Sequence, residues 1–386
     1  MQEWDDSYCT LEDVNEAIAV IAECRIPEGL AGCPYPAYSP GGLYGRRWWS
    51  LDYALTMEAV KWLDDAQALE FICNLEGMQK DDGRIPLYSD DNYRPFQFIK
   101  EPVGSLPKFF QVAFDIAEMG SEANVKRKVL GIFQRNLEWW FKNRQDRATG
   151  LITAVFEETF IPYTQGWAGL YAPMDTNVQV LLGCWNAACL AHEIGAMDTA
   201  NTLAKKANEL EDAISMHLWD EAEGCYMPYL VQEKRRHNCK MASMFLGFYL
   251  PDMGRHKRLL EHLLDPNDFN WGTMPLTTVS KKDQIFQTVE GNYNGNPSWS
   301  GSVWALSNDA AIKALKHAGL DKYARELAVA TVKAFRGNYA EFLHPFTGEG
   351  HGVKRYAWTA AIFLRILIEE LHLLEPNYKG GNKHPM

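Results

Sequence analysis

The chain alternates amphipathic runs with spacers of two very different lengths, and that alternation most limits what it can fold into. Apolar residues recur at helical spacing in TLEDVNEAIAVIAE, LDYALTMEAVKWLDDAQALEFICNLEGM, SLPKFFQVAFDIAEMG and EANVKRKVLGIFQRNLEWWFKNR. They do so again in TNVQVLLGCWNAACLAHEIG, MDTANTLAKKANELEDAISMHLW, KMASMFLGFYL, HKRLLEHLL, WSGSVWALSNDAAIKALKHAGL, DKYARELAVATVKAF and KRYAWTAAIFLRILIEELHLL. Splitting the second run near Asp64 and Asp65 predicts about eleven or twelve helices. Thr10 stands where an N-cap belongs, with Glu12 and Asp13 in the first turn, where acids favour the positive end of the helix dipole. Strand alternation is scarce, GLITAVF and GCYMPYLV being the best short candidates.

Short turns separate some helices, while long stretches rich in Gly, Pro and Trp separate others: 34–49, 83–104, 157–173 and 270–299. Long loops inside a compact domain usually carry function. At 386 residues the chain has room for two domains or one large closed architecture. No fixed repeat period marks a solenoid. The expected fold is all-α: one (α/α)6 barrel over residues 1–386, six inner and six outer helices with long loops on one face, in preference to two helical domains.

Net charge is -12 without a basic cluster, which excludes a nucleic-acid partner, since phosphate binding needs concentrated Lys and Arg. The N-terminus lacks a basic start followed by an apolar run, and no apolar run reaches membrane-spanning length. The reading is a cytoplasmic protein with no membrane partner, a homo-oligomer being left open. The eight cysteines occur singly, without a CxxC pair, and several lie on apolar helical faces, so they read as reduced core residues. No cofactor is expected, and no metal: His344 and His351 have no third ligand at sensible spacing.

The loops hold the chemistry. Asp52, Glu101, Glu157, Glu158, Asp175, Glu290, Glu341 and Glu349 stand near Gly, Pro or aromatic residues, and ten tryptophans lie in or beside the loops. Any one acid is more often a cap or a solvated charge, and about half of the tryptophans serve packing, but aromatic faces and carboxylates converging on one mouth suit a sugar.

Several motifs resemble known families. SPGGLYGRRWWSLDYALTME resembles the trehalase signature, with Asp52 on that family's sugar-binding aspartate and Leu51 in place of its usual Trp. NRQDRATGLI resembles the segment leading to the general-acid loop, and YAPMDTNVQVLL the Pro-Val-Asp-Leu-Asn motif, which places Asp175 and Asn177. MPLTTVSKKDQIF and PSWSGSVWALSNDAAIKAL resemble motifs of the processing α-glucosidase and mannosylglycerate hydrolase families. The stretch from Asn338 to Phe363 resembles their general-base loop, with Glu341 on the base. The motifs run in family order from about residue 39 to 363.

The resemblance implies an inverting, exo-acting glycoside hydrolase acting on a small α-glucoside, α-mannoside or disaccharide. Glu341 would be the general base and Glu158 the general acid, with Glu157 as nearest competitor. Ile161 stands about where these families place their acid, so Asp175 is a further possibility. Asp52 would bind sugar hydroxyls, with Tyr44 and Asp175 also on the substrate side and Trp49, Trp299, Trp304 and Trp358 forming the platform. Arg46 or Arg47 would meet an acidic aglycone or pair with a loop carboxylate. Glu349 is the rival to Glu341. Two other readings remain: a sugar epimerase using His237, His344 or His351, and a non-catalytic sugar-binding barrel.

Overall fold

The computed structural model describes residues 7–30, 32–89, 102–120, 122–155, 158–160, 171–288 and 299–377. In chain order the helices are α1 (Leu11–Glu23), α2 (Ser50–Leu63), α3 (Asp65–Met78), α4 (Phe109–Gly120), α5 (Ala123–Asn143), α6 (Met174–Glu193) and α7 (Met197–His217). They continue through a 3-10 segment (Ala242–Tyr249), α8 (Met253–Leu263), the single-turn α9 (Pro266–Phe269), α10 (Ala305–His317), α11 (Asp321–Phe335) and α12 (Ala357–Arg365).

Six of these close a ring. α2 packs on α4, α4 on α6, α6 on the 3-10 segment, that segment on α10, α10 on α12, and α12 back on α2. Their sequences explain the position: every residue from Ser50 to Lys61 in α2, and from Met174 to Cys184 in α6, is buried, as expected of helices packed on all sides. The outer helices bury one stripe each. In α7 the buried residues are Ala200, Leu203, Ala207 and Leu210, at steps of three and four, followed by Ala213 and Ile214, three and four on from Leu210. The (α/α)6 barrel is therefore the observed architecture.

Local chemistry sets the boundaries. Thr10 and Asp13 form a reciprocal capping box at α1. Asp64 ends α2 and caps α3, accepting from Ala66 N at 3.1 Å and Gln67 N at 3.2 Å, so the long run divides where the sequence suggested. Each inner element is entered through a long connection and left through a short turn, which gathers the long loops at the N-terminal ends of the inner ring. GLITAVF forms only isolated bridges, Gln145 with Ile152 and Ala154 with Tyr171. GCYMPYLV divides into the two-residue strands Cys225–Tyr226 and Tyr229–Leu230; the intervening Pro228 has no amide hydrogen to donate. All eight cysteines are free, but Cys189 is exposed and Cys73 half-buried, a departure from the expected core positions.

Below the loops the barrel interior carries ions. Glu58 of α2 lies 2.6 Å from Lys313 and 3.1 Å from Lys61, and Lys108 lies 3.5 Å from it. Burial opposes ionisation of Glu58, yet Lys313, Lys61, Lys108 and Arg365 together outweigh it and hold the carboxyl well below its ordinary range. Arg365, fully buried, pairs with Asp309 at 2.6 Å, Glu369 at 3.0 Å and Glu370 at 2.8 Å. A π-turn at Ile366–Glu370 widens the last turn and brings both glutamates onto the same guanidinium. Among the described residues, no helix is long and apolar enough to cross a membrane.

Candidate active site

A cavity of ≈ 80 Å³ opens where the inner helices begin, lined by Tyr44, Trp49, Leu51, Asp52, Thr159, Phe160, Trp299, Trp304, Glu341, Tyr356 and Trp358. Glu341 directly precedes a two-stranded hairpin, Phe342–Leu343 with Gly350–His351. Its amide donates to the Val353 carbonyl at 2.8 Å, while Val353 N donates back to Oε2 at 3.1 Å. Tyr44 donates its hydroxyl to Oε1 at 2.8 Å. Both oxygens are thereby fixed in a buried side chain.

Tyr44 reaches Glu341 because its loop uses backbone open to glycine. Gly41 has φ 117°, and a Cβ there would lie 2.6 Å from the Arg355 carbonyl oxygen. The Pro-Gly-Gly of the motif is thus a requirement of this approach. Tyr44→Phe removes one hydrogen bond to a carboxylate, an interaction worth about 1.5–3 kcal/mol. Urea unfolding should show a loss of up to that order, and steady-state kinetics a lower kcat/KM because the Glu341 carboxylate is no longer held in place.

Asp52 enters from the first turn of α2 and accepts the Tyr356 hydroxyl at 2.7 Å. Burial pushes its carboxyl up from 3.8 to about 7; the Tyr356 bond opposes that rise and the charge of Glu341 adds to it. Below 3.8 both folded and unfolded states hold the proton, and between 3.8 and about 7 only the folded state does, so stability is lost as pH rises through that window. Asp52→Asn should flatten this part of the slope: urea titrations should show the variant gaining on wild type at pH 8 and matching it near pH 4.

Aromatic rings complete the walls. Trp299 stacks on Trp304 with centroids 3.8 Å apart and planes 8° apart, and Trp358 meets Trp304 edge-on at 5.8 Å and Tyr356 at 5.0 Å. The Trp358 indole nitrogen is buried with no partner among the described residues. Trp49 packs on Tyr88 at 4.7 Å. Arg47 is exposed; it donates to the Tyr88 hydroxyl and does not line the cavity, and Arg46 pairs with Glu28 on the surface.

Glu158, expected to be the proton donor, is elsewhere. Arg144 grips it through Nε at 2.6 Å and Nη2 at 2.8 Å, and the amides of Gly104 and Val155 donate at 2.8 and 3.0 Å. Four donors on one fully buried carboxylate that does not line the cavity make it an anchor for the loop, which corrects the expectation. Asp175 sits in the first turn of α6, behind the wall formed by Thr159 and Phe160. Asn177 bridges Ile152 and Pro173 and is structural. Glu157, Glu101, Glu290 and Trp167 lie outside the described residues. Glu349 is exposed, and His344 accepts from the amides of Phe346 and Thr347. No histidine is among the described residues lining the cavity.

Tyr356, Thr159 and Arg144 were not singled out from the sequence. Tyr356 opens the aromatic helix start that drew attention to Trp358, and Arg144 ends the long run before the acid-loop segment; neither carried a spacing signal of its own.

The profile of the mannosylglycerate hydrolase MGH1-like glycoside hydrolase domain matches residues 163–359. The mannosylglycerate hydrolase of Rubrobacter radiotolerans is 28% identical over 185 residues, a match that takes in 47% of this chain and 40% of that relative. Among solved structures, the GH63 mannosylglycerate hydrolase from Thermus thermophilus in complex with Tris and D-glycerate superposes with a TM-score of 0.73 at 16% identity, covering 91% of this chain and 99% of the other. Neutral trehalase from Saccharomyces cerevisiae gives 0.65 at 15% identity, covering 86% and 73%.

Proposed function

Because the chain belongs to the mannosylglycerate hydrolase MGH1-like glycoside hydrolase family, we propose that it is an inverting, exo-acting hydrolase of small α-glycosides, of the α-glucoside or α-mannoside type. The observation that carries this reading is the pair Glu341 and Asp52 in one small, aromatic-walled cavity. A small cavity floored by helix starts suits a single terminal ring, which supports an exo mode on a short substrate.

Glu341 is the general base. Its oxygens, aimed by Tyr44 and Val353, accept a proton from water as that water attacks the anomeric carbon. Asp52, steadied by Tyr356, binds hydroxyls of the ring, and Trp299, Trp304 and Trp358 cover its C–H faces. Arg47, exposed beside the Trp49 and Tyr88 pair, remains a contact for an acidic aglycone at the rim. The epimerase alternative loses its support, since none of its histidines lines the cavity among the described residues.

A panel containing mannosylglycerate, trehalose and neutral alkyl α-glucosides and α-mannosides tests the reading, with the first-formed anomer followed by NMR. First release of the attacked ring as the β-anomer from an α-glycoside supports inversion, trehalose giving one β- and one α-glucose; release of that ring as the α-anomer, or tight binding without turnover across the panel, overturns it.

A further inference from the structure

Cleavage of an alkyl glycoside needs a proton at the leaving oxygen as well as a base, and the described carboxylates leave that role to be assigned. Glu158 is occupied by Arg144 and two backbone amides. The wall facing Glu341 offers a different arrangement. The hairpin of Glu341 is tied to α12, where Thr359 donates to the Ala340 carbonyl at 2.9 Å. In the ring order α2, α4, α6, 3-10 segment, α10, α12, the member opposite α12 is α6. The first turn of α6 holds Asp175, wholly buried, and Thr159 stands between it and the cavity. Thr159 Oγ1 lies 2.8 Å from Asp175 Oδ1 and 2.7 Å from Oδ2, and Phe160 N donates to Oδ2 at 2.7 Å.

Resting on the hydrolase reading above, we propose that Thr159 is the proton donor of this site and that Asp175 supplies it from behind. A hydroxyl has one hydrogen and two acceptor positions, so its direction can reverse. When Asp175 carries a proton it donates to Thr159 Oγ, and the Thr159 hydrogen turns to the glycosidic oxygen. As the bond from the anomeric carbon to that oxygen breaks, the Thr159 proton goes to the leaving oxygen and the Asp175 proton moves to Thr159. On the opposite side of the ring the water oxygen bonds to the anomeric carbon and its proton goes to Glu341. Asp175 ends as a carboxylate and Glu341 as an acid, and solvent exchange restores both.

The surroundings suit a proton source. Burial raises the Asp175 carboxyl to about 6, against the opposing bonds from Thr159, Phe160 and Thr176. Among the described residues, the charged and titratable groups around the relay are the Glu158–Arg144 ion pair alongside Thr159, and Asp52 and Glu341, which line the same cavity. Asp175 acts only through Thr159, so a test has to separate proton delivery from support of the wall.

Leaving-group chemistry makes that separation. Thr159→Val keeps the shape and loses the hydroxyl. On an alkyl glycoside it should lower kcat/KM by about 10²–10⁴-fold, the range of general-acid catalysis, while turnover of a glycosyl fluoride or dinitrophenyl glycoside stays within a few-fold of wild type. Asp175→Asn should show the same split, and Thr159→Ser should recover most of the alkyl activity. The falling high-pH limb on alkyl substrates should vanish on the fluoride, since an ionisation of Asp52 would persist on both. Equal losses of Thr159→Val on both substrate types, or no loss, overturn the relay, as does a leaving-group split produced by Glu157→Gln instead. A wild type that cleaves neither substrate class removes the hydrolase reading and the relay together; cleavage of both with no split in the variants removes the relay alone.

Discussion

Glu341→Gln should lower kcat by about 10²–10⁴-fold, the contribution of a general base, while leaving sugar affinity nearly unchanged. The amide matches the carboxylate in shape, and its oxygen can still accept from Tyr44 or Val353, so the cavity keeps its form. What disappears is the ability to take the proton of the attacking water. Unlike the Thr159 variant, this one is not rescued by an activated leaving group, because water must be deprotonated whatever departs. Titration calorimetry with a product sugar checks binding, and steady-state rates on a fluoride and an alkyl glycoside check the chemistry. Unchanged kcat would remove Glu341 from the mechanism and return attention to the exposed Glu349.

The largest stability effect should come from Arg365→Ala, which we expect to cost about 3–5 kcal/mol, measured by urea unfolding near neutral pH. Arg365 is fully buried and contacts Asp309, Glu369 and Glu370, which belong to α10 and to the turn after α12. Removing it leaves three carboxylates facing one another deep in the ring with one cation fewer, and desolvation penalises each charge that stays unpaired. Arg365→Met together with Asp309→Leu should recover part of the loss, because one of the three carboxylates left facing one another is removed along with the cation. A cost below about 1 kcal/mol for the single change would put the interior closer to water than its burial indicates.

Much of the fold was legible because helix faces and caps are local. The period of α7 stated which side would be buried, and Asp64 announced the division between α2 and α3. Glu341, Asp52 and the tryptophans stood out through motifs of a few neighbouring residues, and the structure brings them to one cavity. The carboxylates with an undisturbed local motif could be read; those whose meaning depends on a distant partner could not. In the sequence Glu158 reads as the acid, with Glu157 its nearest competitor and Asp175 a further alternative. Arg144 beside Glu158, and Thr159 between Asp175 and the cavity, are features that no local motif announces.

The sequence by itself determined an all-helical barrel with its long loops grouped by rhythm, and an acid at position 341 beside an aromatic helix start. Only the tertiary structure decided which groups meet: Tyr44 reaches Glu341 across 297 positions, Tyr356 reaches Asp52 across 304, and the ring order sets α6 against α12. Periodicity reports the face a helix buries but not its neighbour, and a carboxylate takes its role from the donors and charges within a few ångströms, which closure of the ring alone brings together.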